Sequence, residues 1–204
     1  MSRPFVIALT GRSGCGKSTA ARFLRAQGYP VLDADAAARE VTQPGAPELS
    51  QLAQAFGADI LDEAGRLRRQ LLAQRAFASR EGTQMLTRIT HPGIVRRLLD
   101  GVQRAREAGA RLCFVDGAAI VGQAFEPYCD RIVVVRAPRQ ESIRRIAVRD
   151  GITPQQAAQR LDAQTSEDVL QRAAHYIITN DADEEALRRK VRGMLDALLT
   201  EGDA

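Results

Sequence analysis

The sequence feature that most constrains the fold is a glycine-rich loop between a predicted strand and a predicted helix. Residues 11–18 read GRSGCGKS, which matches the pattern G-x-x-x-x-G-K-[ST], and the apolar run Phe5 to Leu9 precedes them. Such a short apolar run is typical of a buried strand, and a helix is expected at about residues 17–27. Glycines let consecutive backbone N–H groups turn onto phosphate oxygens, and the helix N-terminus adds a partial positive charge. We therefore expect a phosphate-binding site here; the plainer alternative is a glycine-rich turn with a solvent-exposed lysine.

Within this loop each polar residue has an expected role. Lys17 is expected to bridge the outer phosphates of a nucleotide, and Ser18 can ligate Mg²⁺. The loop alone does not name a reaction, because GTPases, motor ATPases and small-molecule kinases all use it. The guanine signature N-K-x-D is missing from the sequence, since Thr179-Asn180-Asp181 lacks the lysine. A compact sheet with a helical insertion and an arginine-rich late helix indicates a kinase of small molecules.

The rest of the chain alternates predicted strands with helices. Further strands are expected at residues 30–33, 112–116, 131–135 and 175–179, which predicts an α/β fold with a doubly wound five-stranded parallel sheet. Residues 47–109 form a long helical tract, interpreted as an inserted subdomain that covers the crevice at the carboxyl ends of the strands. Thr153, Pro154 and Gln156 predict the start of a helix with a threonine N-cap. With 204 residues we expect one domain: a core of about residues 1–46, 110–138 and 165–204, the helical insertion, and a lid at about 139–164.

Composition excludes several classes of protein. Hydrophobic residues make up 45% and charged residues 26%, which is ordinary for a globular chain, and no apolar run approaches the roughly 18 residues of a membrane helix. The early apolar stretch is too short for a signal peptide, so we expect a cytoplasmic protein without a membrane partner. Its three cysteines form no C-x-x-C pair, which disfavours a disulfide framework or a zinc site. The net charge of +4 is mild and aromatic residues are sparse, so no nucleic-acid partner is expected; we expect a monomer or a weak homo-oligomer.

A pair of carboxylates follows the second predicted strand. Asp33-Ala34-Asp35 ends that strand, and Arg39 lies four residues beyond Asp35. The carboxyl end of a strand in a doubly wound sheet faces the crevice, where an acceptor hydroxyl needs a carboxylate that orients it and takes its proton. Asp33 is therefore the candidate general base. The alternative is that Asp33 or, with more weight, Asp35 caps the helix that begins there.

Two arginines lie four residues apart in the late amphipathic segment 142–149. Arg145 and Arg149 share one helical face, where they repel each other unless an anion lies between them. In phosphoryl transfer such arginines neutralise charge on the moving group, and a lid that carries them excludes water. The alternative is a solvated basic face.

Along nearly its whole length the sequence resembles the dephospho-coenzyme A kinase family. The matching segments are ALTGRSGCGKST (8–19), LDADAAAREV (32–41), PGAPEL (44–49), RRQLLAQRAF (68–77), HPGI (91–94), RRIAVRDGIT (144–153), RLDAQ (160–164) and YIITN (176–180). The resemblance implies ATP-dependent phosphorylation of the ribose 3′-hydroxyl of dephospho-coenzyme A, the final step of coenzyme A biosynthesis, with Mg²⁺ as cofactor.

The resemblance also implies a role for each site residue. Asp33 would be the base, with Lys17, Arg145 and Arg149 as the other catalytic residues and Ser18 as the metal ligand. Gln164 lies at a family position near the nucleotide. The implied ATP-binding residues are Gly11, Ser13, Gly14, Cys15, Gly16, Lys17, Ser18, Thr19, Arg145 and Asn180. The implied acceptor-binding residues are Asp33, Asp35, Arg39, Arg69 and His91.

Some positions depart from the family pattern. Residues 117–122 (GAAIVG) replace V-P-L-L-x-E after the third strand, and Arg12, Ser142 and Ala182 replace a glycine, a glutamine and a glycine. Another small-molecule or nucleoside monophosphate kinase, or a non-catalytic ATP-binding module, is therefore an alternative. Taken alone, His91-Pro92 is typical of a helix-breaking corner and Arg69 of a salt-bridged surface arginine.

Overall fold

Five parallel strands form a single sheet in the computed structural model, which describes residues 3–201. The strands lie in the order β2-β3-β1-β4-β5. Their bounds are β1 Phe5–Thr10, β2 Val31–Asp33, β3 Leu112–Asp116, β4 Arg131–Arg136 and β5 Tyr176–Thr179. This confirms the predicted fold class, and each predicted strand is correct to within one residue at either end.

The central strand β1 is apolar because both of its faces are covered. Residues 6–10 are all buried, as a strand in a parallel sheet with helices on both faces must be. In the register, Leu9 lies opposite Asp116 of β3, and Thr10 lies opposite Val134 of β4. The carboxyl ends of these three strands therefore meet at one edge of the sheet, where the glycine-rich loop begins.

Nine helices are found within residues 3–201, together with short 3-10 helices at Ala58–Ile60 and Glu126–Tyr128. The helices are α1 Lys17–Ala26, α2 Ala34–Glu40, α3 Pro47–Phe56, α4 Arg69–Ala76, α5 Arg80–Glu107, α6 Arg139–Asp150, α7 Pro154–Asp162, α8 Glu167–Ala173 and α9 Glu184–Glu201. The N-cap predicted for α7 is confirmed, because Thr153 and Gln156 form a reciprocal capping box. None of the helices in this part of the chain is both long and apolar enough to cross a membrane.

The described chain divides into two compact units. One unit is Asp33–Gly101, and the other contains residues 3–32 and 102–201 and carries most of the sheet. The core of the sheet unit is centred on fully buried residues such as Ile7, Leu24 and Phe114. Burying a side chain of this size stabilises the fold by about 2 kcal/mol. The core of the Asp33–Gly101 unit contains Leu52 and Ile60 among others.

The chain does not turn at His91-Pro92, so the interpretation of this dipeptide as a helix-breaking corner is wrong. Helix α5 runs from Arg80 to Glu107 with Pro92 inside it. An internal proline removes one backbone hydrogen bond and costs about 3 kcal/mol in a helix. Leu86 and Ile89 before Pro92 pack against the core of the Asp33–Gly101 unit, and Leu98 after it is buried. Apolar burial on both sides of the proline offsets that cost.

Candidate active site

The glycine-rich loop joins β1 to α1 and has a backbone shape that other residues would strain. Gly14 and Gly16 have φ values of 77° and 97°, in the left-handed region. A Cβ at Gly16 would lie 2.2 Å from Nδ2 of Asn180, and one at Gly14 would lie 2.5 Å from the carbonyl oxygen of Ser142. Close packing from two distant segments therefore requires glycine at these two positions as strictly as the turn itself does.

Three residues from the C-terminal third of the chain hold the loop. The backbone N–H of Ser13 donates to Oε1 of Gln164 at 2.9 Å, and Nε2 of Gln164 donates to the Ser13 hydroxyl at 2.7 Å. The buried amide of Asn180 donates to the carbonyl of Cys15 at 2.9 Å, and Arg145 Nη1 donates to the carbonyl of Gly14 at 3.2 Å. The structure thus brings Gln164, Asn180 and Arg145 to the loop.

Lys17 forms an ion pair with Asp116, a residue that the sequence analysis missed. Its Nζ donates to Oδ1 of Asp116, and the two side chains are only 15% and 13% exposed. Asp116 is the last residue of β3, the strand beside β1, so its carboxylate lies at the same edge of the sheet as the loop. The available signal was the aspartate that ends the buried strand LCFVD.

Oxygen ligands suited to magnesium are present at this edge. Ser18 is exposed in the first turn of α1, and Asp116 offers a carboxylate. No group of three or more His, Cys, Asp or Glu side chains in residues 3–201 could hold a metal ion on its own. Mg²⁺ prefers hard oxygen ligands and usually combines one or two protein oxygens with substrate phosphates and water. The residues therefore fit a magnesium ion that arrives with a nucleotide.

The thiol of Cys15, inside the loop, is unreactive. Burial raises its pKa to about 11, and this outweighs the opposing effect of Lys17 and the backbone N–H groups. A thiol with such a pKa holds very little thiolate at neutral pH, so Cys15 contributes its backbone and its small volume.

The two arginines of the predicted lid, Arg145 and Arg149, have different environments. Arg145 lies 3.4 Å from Glu141 while it binds the loop at Gly14. Arg149 is 62% exposed and pairs with the adjacent Asp150 at 2.7 Å. Each guanidinium therefore has an acidic neighbour, and only Arg145 contacts the loop.

Asp33 caps helix α2. One carboxylate oxygen, Oδ1, accepts the backbone N–H of Ala36 at 2.8 Å, whereas Asp35 lies inside the first turn. The weighting that favoured Asp35 as the cap is therefore wrong. The other oxygen, Oδ2, lies 3.6 Å from Nη2 of Arg39, and the Asp33 side chain is 44% exposed. Capping with Oδ1 leaves Oδ2 accessible for further interactions.

Arg39 and Arg69 are linked through Thr42, within the same unit. The Thr42 hydroxyl donates to the carbonyl oxygen of Arg39 at 2.9 Å and accepts from Nη2 of Arg69 at 3.2 Å. Thr42 is buried, whereas both arginine side chains reach the surface. The buried Thr42 therefore ties the Arg69 side chain to the backbone of Arg39, whose own side chain lies beside Asp33.

His91 lies on α5 and is partly buried. Burial holds the pKa of its imidazole below the usual value of 6.5, so the neutral ring is favoured at neutral pH. The hydrogen bonds and ion pairs that link Asp33, Arg39 and Arg69 within residues 33–101 do not include His91.

Comparison with known proteins identifies the family. The family model for dephospho-CoA kinase matches residues 5–185. The chain belongs to the dephospho-CoA kinase family. The dephospho-CoA kinase of Corynebacterium efficiens is 36% identical over 194 residues, which cover 95% of this chain and 97% of the relative.

Solved structures share the fold of this family member. TT1252 from Thermus thermophilus is 31% identical with a TM-score of 0.81, covering 97% of this chain and 99% of its own. The dephospho-CoA kinase from Campylobacter jejuni has a TM-score of 0.72 at 24% identity, covering 98% of this chain and all of its own. The second similarity supports the fold alone.

The segment that departs from the family pattern, 117–122, is tied down in the sheet unit. The Thr10 hydroxyl donates to the carbonyl oxygen of Ala118 at 3.3 Å, and the backbone N–H of Gly122 donates to Glu126 at 2.5 Å. Ile120 is buried, while Ala118 and Ala119 expose only small side chains. The segment is therefore held at both ends by hydrogen bonds within the sheet unit.

Proposed function

We propose that this protein transfers the γ-phosphoryl group of ATP to the ribose 3′-hydroxyl of dephospho-coenzyme A. The products are coenzyme A and ADP, so the reaction completes coenzyme A biosynthesis. The observation that carries the proposal is the match to the family over 181 residues, 5–185, in a chain that has both the phosphate loop with Lys17 and the Asp33-Arg39 pair. The alternatives, another small-molecule kinase or a non-catalytic ATP-binding module, are not favoured.

On the donor side, the phosphates of ATP would bind the N–H groups of residues 11–19. The left-handed glycines orient these groups, and the N-terminus of α1 adds its partial positive charge. When ATP binds, Lys17 would leave its ion pair with Asp116 and neutralise charge on the outer phosphates. Asn180 and Gln164 fix the conformation of the loop through their hydrogen bonds to Cys15 and Ser13.

Ser18 would hold Mg²⁺, with Asp116 as a further oxygen ligand directly or through water. When bound, the ion neutralises charge on the transferring group. The fit rests on the oxygen character of both ligands and on the exposed position of Ser18.

On the acceptor side, Asp33 would orient the 3′-hydroxyl and take its proton. Its Oδ1 is engaged as the cap of α2, so Oδ2 is the atom that receives the proton. The hydroxyl oxygen forms the new bond to phosphorus, and the bond to the bridging oxygen of ADP breaks. Arg39, Arg69, Asp35 and His91 would bind the remaining groups of the acceptor, where Arg39 and Arg69 suit its phosphates.

The lid arginines would neutralise charge during transfer, with Arg145 foremost because it already contacts the loop. We propose accordingly that residues 47–109 serve acceptor binding and that 139–164 form the lid. The cytoplasmic location and the monomeric or weakly oligomeric state stay predictions.

The test is an assay of ADP release with ATP and Mg²⁺, in which dephospho-coenzyme A is compared with a panel of nucleoside monophosphates and an acceptor-free control. Mass spectrometry of the product checks for one added phosphoryl group. We expect turnover on dephospho-coenzyme A alone. Turnover on another acceptor would reassign the protein to a different small-molecule kinase, and tight ATP binding without any phosphorylated product would favour a binding module.

A further inference from the structure

A buried carboxylate lies among the helices of the Asp33–Gly101 unit. Glu48 is the second residue of α3, and its side chain is only 6% exposed. Its Oε1 accepts from Nη2 of Arg96 at 3.0 Å and from Nη1 of Arg97 at 3.4 Å. Its Oε2 is buried without a hydrogen-bond partner among the described residues. A buried carboxylate with one unsatisfied oxygen is costly, so a purely stabilising role accounts poorly for it.

Gly93 of α5 provides the space for this carboxylate. A Cβ at Gly93 would lie 2.1 Å from Oε1 of Glu48 and 3.0 Å from Cγ1 of Val41. Real Cβ atoms do not approach an oxygen so closely, so Glu48 fits only because residue 93 has no side chain. Gly93 has an ordinary helical backbone, and close approach is the reason that glycine is needed here.

Arg97 extends the contact to a third helix. Its Nη1 donates to the carbonyl oxygen of Gly93 at 3.1 Å, and its Nε lies 3.6 Å from Oε2 of Glu40 at the end of α2. The Arg97 guanidinium therefore pairs with both carboxylates, and its side chain is only 24% exposed. Helices α2, α3 and α5 therefore meet at one charged junction, formed by Glu40, Glu48, Gly93 and Arg97.

The junction adjoins two residues proposed to bind the acceptor. Arg39 immediately precedes Glu40 on α2, and His91 lies two residues before Gly93 on α5. Proline at position 92 has no N–H to donate to the carbonyl oxygen of Arg88, so α5 lacks one backbone hydrogen bond in the turn that contains His91. The contact at Gly93 fixes the position of the α5 backbone two residues from His91.

We propose that Glu48 is a positioning residue for the acceptor: it holds α2 and α5 in register, so that Arg39 and His91 face the same substrate. Glu48 touches neither substrate in this proposal. The inference rests on the proposed function, because the roles of Arg39 and His91 as acceptor ligands come from there.

The test compares steady-state kinetics of Glu48→Gln and Gly93→Ala with the wild type. Glutamine keeps the shape but removes the charge that holds Arg97, while the added methyl group at position 93 displaces the carboxylate. We expect each variant to raise KM for dephospho-coenzyme A about tenfold and to leave KM for ATP within about twofold. Glu63→Gln, a change at an exposed glutamate in the same unit, is the matched control and is expected to change neither value.

A double variant separates positioning from simple damage. In the background of Glu48→Ala, the added methyl group of Gly93→Ala meets no carboxylate, and its remaining contact, with Cγ1 of Val41 at 3.0 Å, can relax into the space that Glu48 leaves. The further effect on KM for the acceptor is therefore expected to stay within about twofold. If Glu48→Gln does not fold, as judged by circular dichroism, Gly93→Ala carries the test alone.

Several results would overturn the proposal while leaving the function intact. They are an unchanged KM for dephospho-coenzyme A, an equal rise in both KM values, or a fall in melting temperature without any change in either KM. If the wild-type protein does not phosphorylate dephospho-coenzyme A, the proposed function fails first, and the two failures are thereby distinguished.

Discussion

The two sides of the proposed active site differ in how their polar groups are held. At the phosphate loop, Lys17 and Asp116 are 15% and 13% exposed, and three distant side chains bind the loop backbone. In the Asp33–Gly101 unit, Asp33 and Arg39 are 44% and 57% exposed. The donor side is thus preorganised by backbone and buried contacts, whereas the acceptor side presents exposed side chains.

The difference implies different consequences for binding. A preorganised loop binds phosphate without a large cost in side-chain entropy, while each exposed side chain that is immobilised on the acceptor side costs about 0.5–1.5 kcal/mol. Changes on the donor side should therefore reduce turnover strongly. Changes on the acceptor side, except at the base, should act mainly on substrate affinity.

The largest effect is expected for Lys17→Ala, which removes the lysine of the preorganised loop that pairs with Asp116. We expect kcat/KM to fall by about 10³-fold or more, because the lost charge stabilises the transferring phosphoryl group. The matched control is Lys190→Ala, since Lys190 is the other lysine of the chain and pairs with Asp181 at the surface. A fall of less than about tenfold would remove the contrast between the two sides.

Asp33→Asn is expected to have the next largest effect. Asparagine is as good an N-cap as aspartate, so the variant should keep α2 and its melting temperature while it loses the proton acceptor. We expect kcat to fall by about 10²–10⁴-fold with ATP affinity unchanged. Asp100→Asn, at an exposed aspartate of α5, serves as the control. Turnover at the wild-type rate would exclude Asp33 as the base.

The two arginines of the proposed lid allow a finer comparison. Arg145 contacts the loop and Arg149 only its neighbour Asp150, so Arg145→Ala should lower kcat/KM about tenfold or more. Arg149→Ala should have an effect several times smaller, because exposed ion pairs contribute little. Steady-state kinetics of the two variants, measured under the same conditions, test this difference. Equal losses of kcat/KM would show that both arginines reach the transferring group.

The smallest effect concerns stability and pH. Because burial lowers the pKa of His91, the unfolded chain protonates this ring at a pH where the folded chain does not. The stability associated with the neutral ring is therefore present above about pH 6.5 and is lost as the pH falls below it. Urea unfolding at about pH 7.5 and about pH 5.5 should show a smaller acid loss for His91→Gln than for the wild type.

The matched control for this measurement is His175→Gln, at the other histidine of the chain. If the acid loss of His91→Gln equals that of the wild type, the folded environment of His91 does not disfavour the charged ring.

The elements that depend on a local sequence pattern, namely the strands and the capping box, were predicted best. The strands are found within one residue of their expected bounds, since an apolar run bounded by Gly, Pro or Asp constrains a buried strand strongly. The capping box at Thr153 depends on residues three apart and is found as expected. Pro92 was misinterpreted because the burial of Leu86, Ile89 and Leu98 that keeps α5 helical is a tertiary effect.

The candidate site was predicted where residues are adjacent in sequence and missed where they meet only in the fold. Residues 11–18 predict the loop from the local sequence, whereas the pairing of Lys17 with Asp116 depends on β3 lying beside β1 in the sheet. The acidic partners of Arg145 and Arg149 are local, since Glu141 lies four residues before Arg145 and Asp150 follows Arg149, and this signal was overlooked. By contrast, the need for Gly93 arises from Glu48, which lies 45 residues earlier in the chain.

Calorimetric titration of ATP and of dephospho-coenzyme A into the wild type, Lys17→Ala and Arg39→Ala tests the division of the site most directly. We predict that Lys17→Ala weakens ATP binding about tenfold or more and leaves dephospho-coenzyme A within about twofold, and that Arg39→Ala does the reverse. The division of donor and acceptor sides between the loop and the Asp33–Gly101 unit is contradicted if either variant weakens the binding of both ligands equally. It is also contradicted if Lys17→Ala weakens mainly dephospho-coenzyme A binding or Arg39→Ala weakens mainly ATP binding.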